Sequence, residues 1–358
     1  MDQLEAMGWS RGFAAALHQV DPTGQLAPAR VSEERKGGYR LLWAAGDLRA
    51  EISGRLLYQA AGPEDLPVVG DWVAVAPRPE ESAGTIQHVL PRRTAVVRSA
   101  PERPTRAQVL AANVDSVFLV TSANRDFNPR RIERTLAVIW QSGAEPVLIL
   151  SKRDLCEDLG RVVAEAEAAA LGVAVLPLSS LTGQGLEALE PLLLPGRTTA
   201  LLGSSGVGKS TLLNRLLGRE LQATREVRED DDRGRHATTH RQLFPLPGGG
   251  VLLDTPGLRE IGLWSQDDAL DSAFPEIDAL ARQCRFHDCR HQGEPGCAVA
   301  EAVDSGRLDP ARLASQRKLE RELRRVEERR DGRARHERRK RARAFSRQIR
   351  QLPDKRRR

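Results

Sequence analysis

The sequence predicts a multidomain protein of mixed α/β and β class, and three observations along its 358 residues support that prediction. Short apolar and β-branched runs fill residues 39–98, which indicates a small all-β domain. Over 107–275, apolar strand-like runs alternate with helical patterns, which predicts a parallel sheet covered by helices on both faces. Three cysteines then fall within the fourteen residues from Cys284 to Cys297, which favours a metal over disulfides.

Breaks in composition place the boundaries between these units. Residues 1–35 mix short apolar runs with glycine and proline, so we expect an extension of uncertain order. The all-β unit suits a five-stranded barrel. The segment 100–108 carries two prolines, which do not suit a continuous helix or sheet ladder, so it is the predicted linker. The predicted units are 1–35, 36–100, 107–275, a metal-binding unit with a helix over 276–330, and a basic tail over 331–358.

Charge is unevenly distributed along the chain. The formal net charge is +6, but residues 333–358 carry thirteen Lys or Arg against Glu337 and Asp354, which leaves residues 1–332 at about −5. A positive charge confined to one end is typical of a segment that binds phosphate, and nucleic acid is the predicted partner. The alternative is a solvated charge run that only keeps the protein soluble. No run of eighteen apolar residues and no secretory signal is visible, so we expect a cytoplasmic monomer without membrane association.

The segment Gly203–Ser210, GSSGVGKS, fits the pattern G-x-x-x-x-G-K-[ST], and it follows an apolar strand and begins a helix as that pattern requires. Glycines let backbone amides point at phosphates, Lys209 neutralises the β and γ oxygens, and the Ser210 hydroxyl suits Mg²⁺. A Gly-Ser-rich turn is the alternative, and the position between a strand and a helix argues against it. The sequence therefore predicts a nucleotide-binding loop.

Two further segments suit the same chemistry. The run from Asp254 to Gly257, DTPG, ends an apolar strand, where the carboxylate of Asp254 holds Mg²⁺ through water and the amide of Gly257 senses the γ-phosphate. An ordinary strand-ending turn is the alternative. Between this run and the loop, the polar stretch 234–240, GRHATTH, is the predicted mobile switch that supplies a threonine to the metal. Either Thr238 or Thr239 fits that role.

The candidate base-reading motif stands on the unexpected side of the phosphate loop. A guanine-specific site needs a carboxylate that accepts from both the ring N–H and the exocyclic amine, usually in [NT]-K-x-D after a strand. Here the candidate is Ser151 to Asp154, SKRD, after the apolar run PVLIL and about fifty residues before the loop. A solvated helix N-terminus is the alternative for SKRD alone. Either the protein does not read guanine or its domain is circularly permuted, and the strand order before the loop favours permutation with a new junction at 192–200.

These motifs, in this order, resemble the ribosome small-subunit-dependent GTPase A family over about residues 36–330. The ordered set is SKRD, SSLTG, GSSGVGKS, GRHATTH, DTPG and the cysteine cluster. The resemblance implies an N-terminal OB-fold barrel, a circularly permuted P-loop GTPase domain and a C-terminal zinc-binding domain with helices. It also implies a GTP hydrolase that assists late maturation of the small ribosomal subunit, binds subunit rRNA in the GTP state, is stimulated by the subunit and is released on hydrolysis. The N-terminal extension and the basic tail lie outside the resemblance.

The resemblance assigns residues to GTP, with Mg²⁺ as its cofactor. Lys152 and Asp154 would read guanine, and Ser151 stands where Asn or Thr is commoner, a departure expected to loosen the packing of the base. The implied GTP-binding residues are Ser151, Lys152, Arg153, Asp154, Gly203, Ser204, Ser205, Gly206, Val207, Gly208, Lys209, Ser210, Thr211, Asp254 and Gly257. The implied magnesium ligands are Ser210 and either Thr238 or Thr239.

The cysteine-rich segment suits a structural zinc site. Three thiolates and one imidazole are enough for one closed, tetrahedral zinc per chain, with no open catalytic position. The candidate ligands are Cys284, Cys289, His291 and Cys297. His287 lies in the same cluster and is an alternative ligand, and the family pattern favours His291. Cys156 stands apart and is predicted to be a buried helix thiol.

The group that orients the attacking water is not evident in its usual place. Leu258 stands two residues after Pro256, where many GTPases place a Gln, and its side chain cannot position water. The candidate catalytic residue is His236, in the predicted switch, because an imidazole can orient water. The alternative is a surface histidine without a catalytic role.

Two other functions compete with a GTPase. A general P-loop ATPase would share the phosphate loop, and nucleotide competition separates the two. A zinc-stapled RNA-binding protein with a vestigial nucleotide site is the third class. The complete set of Lys209, Ser210 and Asp254 argues against it.

Overall fold

The computed structural model describes residues 3–35, 37–100, 103–124, 127–218, 241–254, 274–321 and 323–324, with backbone alone at 98–100 and 103–107. Over these ranges the fold comprises a closed β-barrel, an α/β domain and a small helical domain. A two-stranded hairpin leads from the barrel to the α/β domain. None of the helices in the described ranges combines the length and apolar character needed to cross a membrane.

The first domain is a five-stranded barrel, as predicted. Its strands are β1 Ala27–Arg35, β2 Gly38–Trp43, β3 Gly46–Ile52, β4 Trp72–Arg78 and β5 Ala83–Val89. They run in the order β1-β2-β3-β5-β4, and β4 pairs again with β1 to close the barrel. Neighbours are antiparallel except for β3 and β5. A short helix, α3 Gly54–Gln59, follows β3. Inward side chains, among them Leu41, Leu48 and Ile86, fill the centre and are essentially inaccessible to solvent.

The barrel begins earlier than the sequence suggests. Strand β1 lies within 1–35, the segment predicted to be an extension, and two helices precede it, α1 Gln3–Ala6 and α2 Arg11–Val20. Pro28 reads as a break in the sequence, but here it is the second residue of a strand, opposite Ala74 of β4. A missing N–H is tolerated at the start of a strand. The barrel therefore includes residues from 27 onward.

A hairpin occupies the predicted linker. Strands β6 Ala95–Ala100 and β7 Arg103–Ala112 pair with each other in an antiparallel ribbon. Two prolines argue against a continuous ladder, and the ladder is indeed interrupted, because the pairing steps from Ala107 directly to Arg103 and passes over Pro104. The segment 100–108 therefore contributes to a connection between the domains, as predicted, but its described part belongs to a strand that the sequence did not predict.

The second domain is built on a mostly parallel sheet. Its strands are β8 Ser116–Ser122, β9 Glu145–Ser151, β10 Ala174–Pro177, β11 Thr198–Leu202, β12 Gln242–Pro245 and β13 Val251–Asp254. The spatial order is β10-β9-β8-β11-β13-β12, and β12 alone among these is antiparallel to its sheet neighbour. The first three strands precede the phosphate-loop strand β11 in the chain, which is the order that the predicted permutation requires.

Helices cover both faces of this sheet, as predicted. On one face α4 Pro129–Gln141 and α5 Leu159–Ala169 pack against apolar side chains that include Leu119 of β8. On the other face α6 Lys209–Leu217 packs against the alternate side chains, among them Phe118. Alternate residues of one strand thus enter two different cores, which is typical of a buried parallel sheet.

The barrel and the α/β sheet share an edge. Strand β1 pairs with β12 through the single register pair Glu33 and Gln242. Gln242 in turn stands opposite Asp254 at the end of β13. The two domains therefore form one hydrogen-bonded sheet that crosses from the barrel to the strand of the predicted magnesium aspartate.

The small helical domain packs against α4. It contains α7 Pro275–Ala281, α8 Ala298–Asp304 and a further helix, α9, over 310–321. Its apolar side chains, Ile277 and Val299 among them, form one cluster with Ala137 and Val138 of α4. This contact fixes the cysteine-rich segment against the α/β domain.

Candidate functional site

The phosphate loop joins β11 to α6 at the carboxyl end of the sheet. Gly203, Gly206 and Gly208 have φ values of 153°, 78° and 96°, a region that favours glycine. A Cβ on Gly203 would lie 2.1 Å from the Val120 carbonyl oxygen, so a side chain does not fit there. Val207, 1% exposed, anchors the loop in the core below it. The backbone is thereby shaped to curve around an anion.

Lys209 begins helix α6 and turns its ammonium group back into the loop. Its Nζ donates to the carbonyl oxygens of Gly203 at 2.7 Å and Ser204 at 2.6 Å. Ser210 and Thr211 follow in the first turn, and both are half-buried. The positive charge and the helix N-terminus therefore face the same concavity, which suits the phosphates of a nucleotide.

Asp254 ends strand β13 beside the loop. It is 5% exposed and stands opposite Leu201 of β11 in the parallel pairing. Its carboxylate is therefore at the same edge of the sheet as Lys209 and Ser210. A buried carboxylate in this position can hold Mg²⁺ through water.

The SKRD motif is bonded directly to the phosphate loop. Ser151, the last residue of β9, donates its hydroxyl hydrogen bond to the carbonyl oxygen of Val207 at 2.6 Å and also lies 3.2 Å from the carbonyl oxygen of Thr121. Lys152 has φ 57°, which turns the chain sharply outward, and Asp154 is exposed. The serine therefore ties the SKRD segment to the phosphate loop. The looser packing of the base expected from its replacement of Asn or Thr stays a prediction.

A third loop completes this edge of the sheet. Arg153 donates from its backbone N–H to the Leu178 carbonyl oxygen at 3.2 Å, which places the segment after β10 beside the base motif. Ser179 in that segment is fully buried and its hydroxyl accepts from the Thr182 N–H at 3.1 Å. The loops after β9, β10 and β11 thus meet at one carboxyl edge, where open α/β sheets bind their ligands.

Comparisons with known proteins identify the family to which this arrangement belongs. Residues 89–264 match the family model described as RsgA GTPase. A protein of Opitutus terrae named small ribosomal subunit biogenesis GTPase RsgA is 51% identical over 328 residues, which cover 89% of this chain and 89% of that protein. The chain belongs to the RsgA GTPase family.

Other RsgA relatives and solved structures agree with this assignment. The RsgA protein of Streptomyces coelicolor is 45% identical over 340 residues, which cover 94% of this chain and 91% of that protein. The crystal structure of YjeQ from Thermotoga maritima matches with a TM-score of 0.63 at 28% identity, over 83% of this chain and 98% of that one. YloQ, described as a circularly permuted GTPase, matches in fold with a TM-score of 0.62 at 22% identity, over 84% of this chain and 96% of that one. This RsgA GTPase is therefore a permuted GTP hydrolase.

Several predicted residues lie outside the described ranges. They are the catalytic candidate His236, the magnesium candidates Thr238 and Thr239, and Gly257 after the magnesium aspartate. The basic tail from residue 331 also lies outside them. The loops that the structure does describe carry the residues that the sequence predicts to bind the base and the phosphates.

The four predicted metal ligands converge. Their donor atoms, from Cys284, Cys289, His291 and Cys297, all lie within 4.8 Å of one another. The Nδ1 of His291 is 3.6 Å from the Cys284 Sγ and 3.4 Å from the Cys297 Sγ, and these two sulfur atoms are 4.0 Å apart. A tetrahedral ion with bonds of about 2.3 Å to sulfur and 2.0 Å to nitrogen places its ligands about 3.5–3.8 Å apart. The cluster therefore fits a tetrahedral metal.

Neighbouring groups hold these ligands in place. The Ala300 N–H at the start of α8 donates to the Cys297 Sγ at 3.3 Å, which orients that sulfur. His291 has φ 60°, and its carbonyl oxygen accepts from the Arg317 guanidinium. His287 is exposed and lies outside the converging set, so the structure selects His291. Arg317 was not evident from the sequence, because nothing in a charged helical run distinguishes one arginine from the next.

Cys156 differs from its prediction. It is half-buried and follows the short turn Arg153–Leu155, ahead of α5 and outside any α-helix. Its side chain packs against the core beneath α5, so it is a packing residue in the described structure.

Proposed function

We propose that this GTPase assists late maturation of the small ribosomal subunit, binding subunit rRNA in the GTP state and leaving on hydrolysis. The names of its RsgA relatives, small ribosomal subunit biogenesis GTPases, support the partner. The hydrogen bond between Ser151 and Val207 supports a guanine nucleotide, because it joins the base motif to the phosphate loop. A cytoplasmic, monomeric protein is part of the same proposal.

Different side chains of the described residues are proposed to bind different parts of GTP and its magnesium ion. Lys209 would neutralise phosphate oxygens within the loop, while Ser210 and Asp254 would hold Mg²⁺, one directly and one through water. Asp154 would accept from the guanine ring N–H and the exocyclic amine, and Lys152 would take part in reading the base. Bound there, Mg²⁺ would neutralise negative charge on the phosphates. Thr238 or Thr239 is the proposed further magnesium ligand, and His236 the proposed water-orienting residue.

Zinc is the metal we assign to the Cys₃His cluster. Three thiolates and one imidazole are a donor set that zinc prefers in closed structural sites, and all four positions of the tetrahedron are filled by protein. Zinc there would hold the segment between α7 and α8 in its folded conformation. It has no step in hydrolysis.

The deciding experiment measures nucleotide choice and turnover in one preparation. GTP should displace bound GDP far better than ATP does, and Asp154→Ala should weaken GTP binding about 10- to 100-fold because two charge-assisted hydrogen bonds are lost. Glu157→Ala, an exposed carboxylate three residues further on, is the matched control and should leave affinity unchanged. Equal affinity for GTP and ATP would contradict the guanine assignment.

The ribosomal part of the proposal has its own measurement. Purified small subunits should raise GTP turnover severalfold or more, and His236→Ala should abolish that increase without changing GTP affinity. Turnover unaffected by subunits would contradict the partner. Full stimulation of His236→Ala would remove only that residue from the mechanism.

A further inference from the structure

The N-terminal segment, residues 3–20, packs firmly on the barrel. Trp9 and Phe13 surround Trp72 of β4, with ring centroids 4.8 Å and 5.9 Å from it. Trp72 is completely buried, and Phe13 is 3% exposed. Three aromatic rings packed against one another stabilise the folded state, which a mobile extension would not do. This segment is therefore an ordered part of the fold.

The same segment contacts the junction created by the permutation. The turn 194–197 leads into β11 and the phosphate loop, and the Gly196 N–H in it donates to the Ala6 carbonyl oxygen at 2.9 Å. A Cβ on Gly8 would lie 2.9 Å from the Gly196 carbonyl oxygen, and one on Gly196 would lie 3.2 Å from the Glu5 carbonyl oxygen. The two glycines let the backbones approach more closely than side chains permit.

A buried arginine joins the segment to both domains. The Arg30 guanidinium, on barrel strand β1, donates to the carbonyl oxygens of Met7, of Gly70 at 3.2 Å and of Asn113 at 3.1 Å. Asn113 lies between the hairpin and the first strand of the GTPase sheet. Burial lowers the pKa of Arg30 to about 10, so the group keeps its charge near neutral pH. One side chain thus ties together the N-terminal segment, the barrel and the entrance to the GTPase domain.

We propose that residues 3–20 form an interdomain clasp that holds the barrel to the turn 194–197, so that the barrel opens and responds to nucleotide together with the GTPase domain. Gly196 is seven residues before Gly203, and only strand β11 separates them. A ligand that binds only the folded GTPase domain stabilises every segment that unfolds with it. The clasp requires nucleotide binding alone and is independent of the ribosomal partner.

Hydrogen exchange of the full chain tests the clasp. The probe is GDP with Mg²⁺ at 100 times the Kd measured for each variant, and the readout is exchange of amides in β4 and β5 compared with those in β8 and β9. At that concentration, amides that exchange through shared unfolding slow by about 100-fold. In the wild type, both groups of amides should slow to the same extent.

The variants separate a clasp from a passive contact. Gly8→Val places a side chain against the Gly196 carbonyl oxygen, and the slowing of the barrel amides should fall to about a tenth of that in the GTPase sheet, or less. Gly24→Val is the matched control, since Gly24 has φ +72° but no atom within 4 Å of its Cβ position, so it should behave as the wild type. Gly196→Val approaches the same contact from the other side and should reproduce the loss. Wild-type barrel amides unaffected by GDP, or equal slowing of both groups in Gly8→Val and Gly196→Val, would overturn the clasp.

Discussion

Ser151 shows how much one hydroxyl group decides at the nucleotide site. Its hydrogen bond to Val207 spans 56 residues of sequence and links two motifs, one proposed to read the base and the other to hold phosphate. Sequence reasoning found both motifs but not the bond between them. A motif specifies residue types at fixed spacing, whereas this contact depends on how β9 and β11 are arranged around β8 in the folded sheet.

The first prediction concerns this hydroxyl. Ser151→Ala should destabilise the loop and weaken GDP binding, because the buried Val207 carbonyl oxygen loses its partner at a cost of about 1–3 kcal/mol. Ser151→Thr keeps the hydroxyl and should restore most of the affinity. Isothermal titration of GDP into both variants measures the effect. An alanine variant that binds GDP as tightly as the wild type would show that the bond does not position the loop.

Elements differ in how far the sequence predicts them. The strands of the GTPase sheet are short apolar runs between clear helical patterns, so their existence and order follow from periodicity. Strand β1 escaped prediction because Pro28 reads as a break, and β7 because Pro104 does. In both cases the proline occupies a position where no ladder hydrogen bond is needed, and that depends on the partner strand. Whether a proline is tolerated in a strand therefore cannot be judged from the neighbouring residues of the sequence.

The helical domain also packs against the GTPase domain through a contact that was not predicted from the sequence. Arg312 of α9, 7% exposed, donates from Nη1 to the Glu133 carboxylate at 3.0 Å and from Nε to the Glu276 carboxylate at 2.6 Å. Its guanidinium also lies 4.8 Å from the centre of the Phe274 ring. Glu133 belongs to α4 and is itself buried, so this ion pair joins the two domains.

A second prediction follows from this ion pair. Arg312→Leu should lower the free energy of unfolding of the helical domain by about 3–5 kcal/mol, because Glu133 stays buried without its cation. The double variant Glu133→Leu with Arg312→Leu should recover most of that loss. Arg324→Leu removes an arginine from an exposed pair with Glu320 and should have little effect. Denaturant unfolding followed by exchange in α7 and α8 gives the values; equal stability of both arginine variants would refute the role of Arg312.

The metal cluster leads to a third prediction. Purified protein should contain about one zinc per chain, and Cys289→Ala should remove it and unfold the segment between α7 and α8 at lower denaturant concentration. GDP affinity should change little, because the cluster lies outside the nucleotide loops. Cys156→Ala is the control and should keep its zinc. Elemental analysis that finds no zinc in protein purified without chelators would contradict the assignment.

The excess of positive charge lies in a different part of the chain from the nucleotide site. Residues 1–332, which contain the nucleotide site, carry about −5, and the thirteen basic residues after Gly332 reverse that sign. Because residues 1–332 carry a net negative charge, the overall attraction to a polyanion such as RNA comes from the basic tail. The tail and the GTPase domain are therefore expected to contribute separately. The tail should contribute affinity for RNA, and the domain should set when GTP hydrolysis releases the protein.

The fourth prediction tests this separation. Deleting 333–358 should weaken binding to small-subunit rRNA and flatten its dependence on salt, by about 0.7–0.9 in logarithmic slope for each phosphate that the tail had neutralised. GTP turnover without subunits should not change. A tail with the same composition in scrambled order should retain the slope, since counterion release depends on charge. An unchanged slope after deletion would leave the tail with a role in solubility alone.

The shared edge between Glu33 and Gln242 also bears on synthesis of the chain. All five barrel strands are complete at residue 89, but β12 ends only at residue 245, which at about 5–20 residues per second leaves a wait of roughly eight to thirty seconds. During that wait the end of β1 beyond its pairing with β4 lacks its final neighbour. That end reads Glu33, Glu34, Arg35, and charged residues on an open strand edge discourage pairing with other nascent chains. The charged end of β1, which meets β12 at Glu33 in the finished protein, is thus expected to keep the unfinished barrel from pairing with other chains.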